Sequence, residues 1–475
     1  MPRTRDLTTG PIARTLIVFA LPTLASNVLQ SLNGSVNSIW VGKFIGEGAL
    51  AATSNANIVM FLMFGLVFGF GMAATILVGQ SFGRHDLDGA RRAFGSAVGL
   101  VLLGACIIGF VGWATSGAIL RLLDTPGEAQ GLAEEYLRVT FLGMPPSMLL
   151  VLLMMGLRGS GDSLTPLWFM GLSVLLDGAL NPVLIAGLGP APRLGIAGSA
   201  TATLIVNTLS CAALLAYIYA RDLPIRLRGA EWRYLLPEPA LMRVVLAKGL
   251  PMGAQMLVMS TAGLSMIGLV NKLGVDTAAA YGVSQNLWTY LQMPALAIGA
   301  AVSAMAAQNI GAGRWERVGR ITRSGVLLNL LLTGVMIAAM LAFDRPVMRL
   351  FNLGAEALLI ARHIQLVASW TFILFGVTIV IFSTVRANGA TIPPLLILIV
   401  SLYPVRLGFA TLLRPALGPD AIWLSFPIGS LVSMALALAY YRLGRWRTEM
   451  LVVPEEAREQ THAQSEPVGR AHPTG

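Results

Sequence analysis

Charge is scarce in this sequence. Asp, Glu, Lys and Arg make up 12% of its 475 residues, against about 25% in an ordinary soluble protein. With 55% of residues hydrophobic, a water-facing surface is excluded and the surrounding solvent must be lipid. Cysteine is nearly absent: Cys106 and Cys211 each sit in an apolar stretch, which excludes a disulfide framework and a cysteine metal site. The four histidines, His85, His363, His462 and His472, are scattered and give no metal-ligand spacing. There is no phosphate-binding loop of the G-x-x-x-x-G-K-[ST] type and no Ser or Cys nucleophile constellation. ATP coupling within the chain and embedded catalysis are thereby disfavoured, and no cofactor is expected.

What is abundant is long apolar runs. Twelve stretches are each long enough to cross a bilayer as a helix: 16–40, 53–79, 94–117, 136–157, 167–188, 197–219, 247–271, 279–306, 324–343, 363–385, 393–413 and 422–441. The first is too long for a cleaved signal peptide. The net charge of +10 is a topology signal and not a nucleic-acid signal. With the N-terminus inside, 23 Lys and Arg fall in inner segments and nine in outer ones, with Arg406 inside a span. The positive-inside rule then places both termini in the cytoplasm.

The chain also repeats itself. "SFGRHDLDGARRAF" (81–94) matches "NIGAGRWERVGRI" (309–321), with Gly83 on Gly311 and Arg92 on Arg320, a shift of 228 residues. "GLRGSGDSLTP" (156–166) matches "TVRANGATIPP" (384–394), and "RLLDTPGEA" (121–129) matches "RLFNLGAEA" (349–357), at the same shift. Leu21-Pro22 matches Leu250-Pro251 at 229. Six spans separate equivalent points, so the halves are expected to be parallel repeats about an axis along the membrane normal. The expected architecture is an all-α membrane protein with 12 transmembrane helices in two six-helix lobes. Their expected limits are 1–219 and 244–441, joined by a basic cytoplasmic linker over 220–243 and followed by a disordered tail over 442–475. Gly83 and Gly311 are expected to end their helices without steric cost.

Polar residues inside spans are the functional candidates. Among the 23 acids, Asp177 alone lies well inside lipid, where a charge at a helix centre costs about 2.5–3.5 kcal/mol. Asn181 follows one turn later on the same face, and Pro182 removes the donor for the Gly178 carbonyl. A carboxylate, an amide and a free carbonyl on one face can hold a proton or a sodium ion. The alternative is a structural, hydrogen-bonded Asp in a kinked helix. The first span presents Ser26, Gln30, Asn33 and Asn37 at helical spacing. The second carries Asn57, and the eighth carries Gln285, Trp288 and Tyr290. Gln30, Asn33, Asn57, Gln285, Trp288 and Tyr290 are expected to line a cavity for amphipathic small molecules; interhelical hydrogen bonding is the alternative for each. Arg406 has no assigned role.

These segments resemble the multidrug and toxic compound extrusion family, in its DinF-like bacterial branch. The resemblance spans residues 6–441 and rests on "DLTTGPIARTLIVFALPTLASNVLQSLNGSVNSIWVGKFIGEGALAA" (6–52), "GQSFGRHD" (79–86), "LRGSGDSLTP" (157–166), "MPALAIGAAVSAMAAQNIGAG" (293–313) and "RANGATIPP" (386–394). It implies two lobes around a central cleft in a bacterial inner membrane. It also implies export of organic, often cationic, compounds in exchange for protons or sodium ions. Many relatives place an acid late in the first helix where this chain has Asn37, and N-x-x-x-D-P where it has Asp177 and Asn181. Asp177 is therefore expected to be the sole coupling carboxylate, helped by Asn37 and Asn181. The protein is expected to be a monomer whose partners are small organic substrates and membrane lipids, with no nucleic acid. A flippase for a lipid-linked saccharide is the competing reading; it calls for cavity cations to grip a pyrophosphate. A membrane-embedded enzyme is a more distant one.

Overall fold

In lipid every backbone polar group must be satisfied within its own segment, so long apolar runs fold as helices. The computed structural model describes residues 6–44, 65, 67–122, 127–187, 192–236, 238–344 and 354–448, and among these there is no strand. Nine helices pass as complete spans, or up to eleven when each of two bent pairs is taken as one span. The spans are α1 (Ile12–Phe44), α3 (Leu87–Leu122), α6 (Leu164–Ala186), α7 (Ile196–Ala220), α8 (Pro239–Asn271), α9 (Val275–Gly311), α10 (Trp315–Ala342), α13 (Ile392–Leu412) and α14 (Asp420–Leu443). The bent pairs are α4 (Gly127–Leu142) with α5 (Met144–Gly159), and α11 (Ala355–Ala368) with α12 (Thr371–Ala387), at 50° and 44°. The shorter apolar helix α2 (Val67–Gly83) lies where the second span is expected; the rest of that span, with Asn57, is outside the described residues, as is the tail from residue 449.

Large apolar side chains cover the outer faces. Phe110 is 72% exposed, Leu175 74% and Leu412 79%, a surface that only lipid makes favourable. The two bends fall at equivalent points of the halves, in the fourth and tenth spans; the first adjoins Pro145 and Pro146 in the opening turn of α5.

The duplicated charged loops each clasp the segment that enters the other half. In the loop after α9, Arg314 Nη1 donates to the Thr8 carbonyl at 2.6 Å, and in the last turn of α9 Asn309 Nδ2 donates to the Leu7 carbonyl at 3.0 Å. In the first turns of α3, just past the loop after α2, Arg91 Nε donates to the Pro224 carbonyl at 3.0 Å and its Nη1 pairs with Glu231 at 2.8 Å. Tyr234 donates to Asp88 at 2.7 Å. The segment between the halves is thus docked on α3 and carries a 3₁₀ turn over Gly229–Leu235.

Gly83 and Gly311 are the last residues of α2 and α9, and they have a further task. Neither adopts positive φ; in the second charged loop Gly313 does, at +70°. Instead they allow the lobes to touch. A Cβ on Gly83 would lie 1.9 Å from the Gln308 carbonyl oxygen, and one on Gly311 would lie 2.0 Å from that of Gln80. The equivalents Gly161 and Gly389 do need glycine's freedom, with φ of +96° and +98°.

The first helix of each half crosses between lobes. Leu16, Phe19 and Ala20 of α1 pack with Ile298, Val302 and Met305 of α9 in the opposite half. Beyond Pro22, the remainder of α1 runs along α6. Likewise Gly249 and Gly253 of α8 meet Gly69 and Phe70 of α2, while Thr261 further along hydrogen-bonds to Tyr403 of α13 at 2.5 Å.

Candidate functional site: a buried acid in one lobe and a lined cavity in the other

Helix α6 carries its polar residues on one face because only that face is shielded from lipid. Ser173, Asp177 and Asn181 recur every fourth residue and are all buried, Asp177 at 1% exposure and Asn181 at 0%. Opposite Ser173, Ser210 of α7 accepts its hydroxyl at 2.8 Å. Thr203 Oγ1, also on α7, donates to Asp177 Oδ1 at 3.2 Å. From α1, the amides of Asn37 and Asn33 face the same carboxylate, with Asn181 beside it. Asn181 Nδ2 binds Asn37 Oδ1 at 2.7 Å and the Asp177 carbonyl at 3.0 Å, tying α6 to α1. Tyr136 of α4 stands within electrostatic range of Asp177. Asp177 Oδ2, Asn181 Oδ1 and Asn33 Oδ1 are buried without a hydrogen bond of good geometry. One carboxylate oxygen and two amide oxygens left this way on α6 and α1 favour a cation or proton, because each is costly to leave unpaired.

Two of the three sequence candidates of the eighth span fall in a cavity of the other half, of about 450 Å³ and bounded by α8, α9, α12, α13 and α14. Gln285 and Trp288 line it, together with Phe372, Arg406, Phe426 and Ser430. Trp288 is held by a hydrogen bond from its Nε1 to Gln365 Oε1 at 3.1 Å and by Phe426, whose ring centre is 5.0 Å away. Gln285 Nε2 donates to Tyr281 Oη at 3.1 Å. Tyr290 is 42% exposed and outside the lining. Gln30 is exposed on α1, and Asn33 belongs with Asp177. The expected single polar cavity is therefore divided: α1 polar residues serve the carboxylate in one lobe, and α9 polar residues serve a cavity in the other. The physical reason is that the α1 polar residues beyond Pro22 lie against α6 and not against α9.

Thr203 escaped the sequence reading because a threonine in a span normally turns its hydroxyl to a carbonyl four residues back, as Thr201 and Thr208 do. Nothing local distinguishes it. Arg406 was visible as a lone cation in a span, but its surroundings were not.

The comparisons with known proteins bear on the whole chain. The MatE family model matches twice, over residues 22–183 and 251–412. The probable multidrug resistance protein YoeA of Bacillus subtilis is 33% identical over 431 residues, covering 90% of this chain and 93% of that protein. The FAD transporter of Shewanella oneidensis is 25% identical, covering 91% and 95%. The solved outward-facing conformation of a multidrug resistance MATE family transporter superposes with a TM-score of 0.86 at 20% identity, over 93% of this chain and 98% of that one. With the duplicated match, the 12-span fold and these relatives in agreement, the chain belongs to the multidrug and toxic compound extrusion family of membrane transporters and is not an enzyme.

Proposed function

We propose that this protein is a secondary antiporter that exports small amphipathic organic molecules from a bacterial cytoplasm across the inner membrane in exchange for protons or sodium ions. Its two lobes correspond to residues 1–219 and 244–441, with both termini cytoplasmic. The observation that carries this reading is the placement of Asp177. It is the acid of the spans that is buried on α6, faced by Asn33, Asn37, Asn181 and Thr203, on the same helix pair whose α1 partner reaches into the opposite lobe.

Binding a proton or sodium ion neutralises the carboxylate and changes what α1 packs against beyond Pro22. Proline in a helix interior removes one backbone hydrogen bond and so lowers the cost of bending there. An ion drives the cycle only through different affinities for the two facing states. At Asp177 such a difference arises if the amides of α1 approach or leave the carboxylate as the lobes move. The drug-resistance relatives support an organic cargo, and the relative described as an FAD transporter extends the range of cargo beyond simple cations.

The test is substrate counterflow in proteoliposomes with proton and sodium gradients imposed separately. Asp177→Asn is expected to abolish gradient-driven accumulation while leaving gradient-free exchange measurable. Wild-type accumulation by the variant at equal reconstituted amounts would refute the coupling role.

A further inference from the structure

The second lobe places a cation where the first places an acid. The 228-residue shift sets Asp177 opposite Val405, next to Arg406. Arg406 lies in a π-helical turn, Ser401–Leu407, and lines the 450 Å³ cavity. Its guanidinium stacks on the Phe426 ring at 3.5 Å. Among the described residues it makes no ion pair or hydrogen bond, its Nε is buried without an acceptor, and no carboxylate lines the cavity.

A guanidinium has five N–H donors and remains charged. The face of Phe426 offsets part of the cost of burying that charge, but it accepts none of those hydrogen bonds. A cation left this way within a span is expensive and marks a binding function by default. The rest of the lining suits a planar apolar body: Trp288 and Phe372 supply ring faces, with Gln285 and Ser430 as polar neighbours. The volume lies within the range of about 300–1,000 Å³ that holds drug-sized ligands.

We infer that this cavity binds amphipathic organic anions, with the anionic group on Arg406 and an aromatic body against Trp288 and Phe372. As a cargo site it rests on the transport reading given above; as a binding site it does not. The two lobes then divide the work, with an acid for the driving cation and a base for the cargo.

The experiment is equilibrium binding to the purified full chain in neutral detergent, without ion gradients. The probes are 1-naphthalenesulfonate and 1-naphthyltrimethylammonium, which share the ring and differ in charge. The sulfonate is expected to bind at least about tenfold more tightly, the equivalent of one charge-assisted hydrogen-bonded contact. Arg406→Gln is expected to remove that preference, and Arg406→Lys to keep part of it. Ser430→Glu, which leaves Arg406 in place, supplies the same test should Arg406→Gln not fold; it is expected to turn the preference toward the cation. Competition by phosphatidylglycerol added to the micelles assigns the natural anion to lipid headgroups, and its absence assigns it to soluble molecules. Equal or tighter binding of the ammonium probe to the wild type, or an undiminished sulfonate preference in folded Arg406→Gln or Ser430→Glu, overturns the inference. Because no gradient is present, either result leaves the antiport reading to its own counterflow test.

Discussion

Gln80 and Gln308 reach across the lobe interface in the same way from opposite sides. Gln80 Nε2 donates to the Ala387 carbonyl at 2.7 Å, and Gln308 Nε2 donates to the Gly159 carbonyl at 3.1 Å. Both the donors and the acceptors are related by 228 residues. The symmetry stops at the other end of each amide. Gln308 Oε1 accepts the Leu7 N–H at 3.0 Å, whereas Gln80 Oε1 is buried without a partner. Gln308→Ala is therefore expected to destabilise the fold more than Gln80→Ala. An orphaned buried group costs about 1–3 kcal/mol, and the first variant orphans two. Thermal unfolding of the two purified variants, compared in one detergent, measures the difference.

The glycines beside these glutamines set how closely the lobes approach. Gly311→Leu places a side chain where a first carbon already meets the Gln80 backbone oxygen at 2.0 Å, and backbone cannot move aside cheaply. The variant is expected to hold this end of the lobes apart. A cysteine introduced at buried Ala307 should then react with a water-soluble maleimide at least several-fold faster than in the parent. An unchanged rate contradicts this assignment of the close approach.

Asn181 is expected to act through Asp177 and α1 together. Asn181→Leu removes the bond to Asn37 and the bond to the Asp177 carbonyl. Ion-driven transport should fall about tenfold or more, the effect of about 1.4 kcal/mol, while gradient-free binding of 1-naphthalenesulfonate in the other lobe stays within twofold. Loss of both at once would point to unfolding and not to a role at the ion site.

Trp446 anchors the described end of the chain. It is 1% exposed, stacks on Tyr441 with ring centres 5.2 Å apart, and its carbonyl accepts Asn388 Nδ2 at 2.5 Å. Trp446→Ala is expected to cost about 3–5 kcal/mol, the usual range for emptying a buried tryptophan site. Truncation after Arg445 should match it, and both are read as a lowered unfolding midpoint.

The linker offers a pH test outside the membrane. The hydrogen bond from Arg228 is the main influence that holds the Asp222 carboxyl below the ordinary aspartate range, with further lowering from the charges of Arg228 and Arg226. A group whose folded pKa is depressed contributes stability above its unfolded pKa of about 3.9, and loses it as pH falls through the folded value. Protection of residues 222–231 against hydrogen exchange, taken relative to the intrinsic rate at each pH, is expected to be greater at pH 5 than below about pH 4, with salt shrinking the difference because the pair is exposed. Protection that does not change with pH in this range would remove the pair from any account of the docked linker.

Much of this molecule was legible in one dimension. Span number, duplication and the isolation of Asp177 follow from hydropathy, loop chemistry and spacing, since lipid permits few alternatives to helices and makes an intramembrane acid conspicuous. The partners of that acid were only partly legible. Asn37 and Asn181 stand out because amides are rare in spans, whereas Thr203 does not.

Composition and periodicity by themselves determined a duplicated all-helical membrane protein, because the backbone's need for internal hydrogen bonds in lipid leaves no other choice for runs of this length. Only the tertiary structure decided which polar residues meet. Asn33 and Gln285 look alike along the chain, yet one joins Asp177 and the other a cavity beside Arg406, because α1 leaves the opposite lobe at Pro22 and α9 does not leave its own. Packing across separations of 144 and 121 residues selects those neighbours, and no local pattern encodes it.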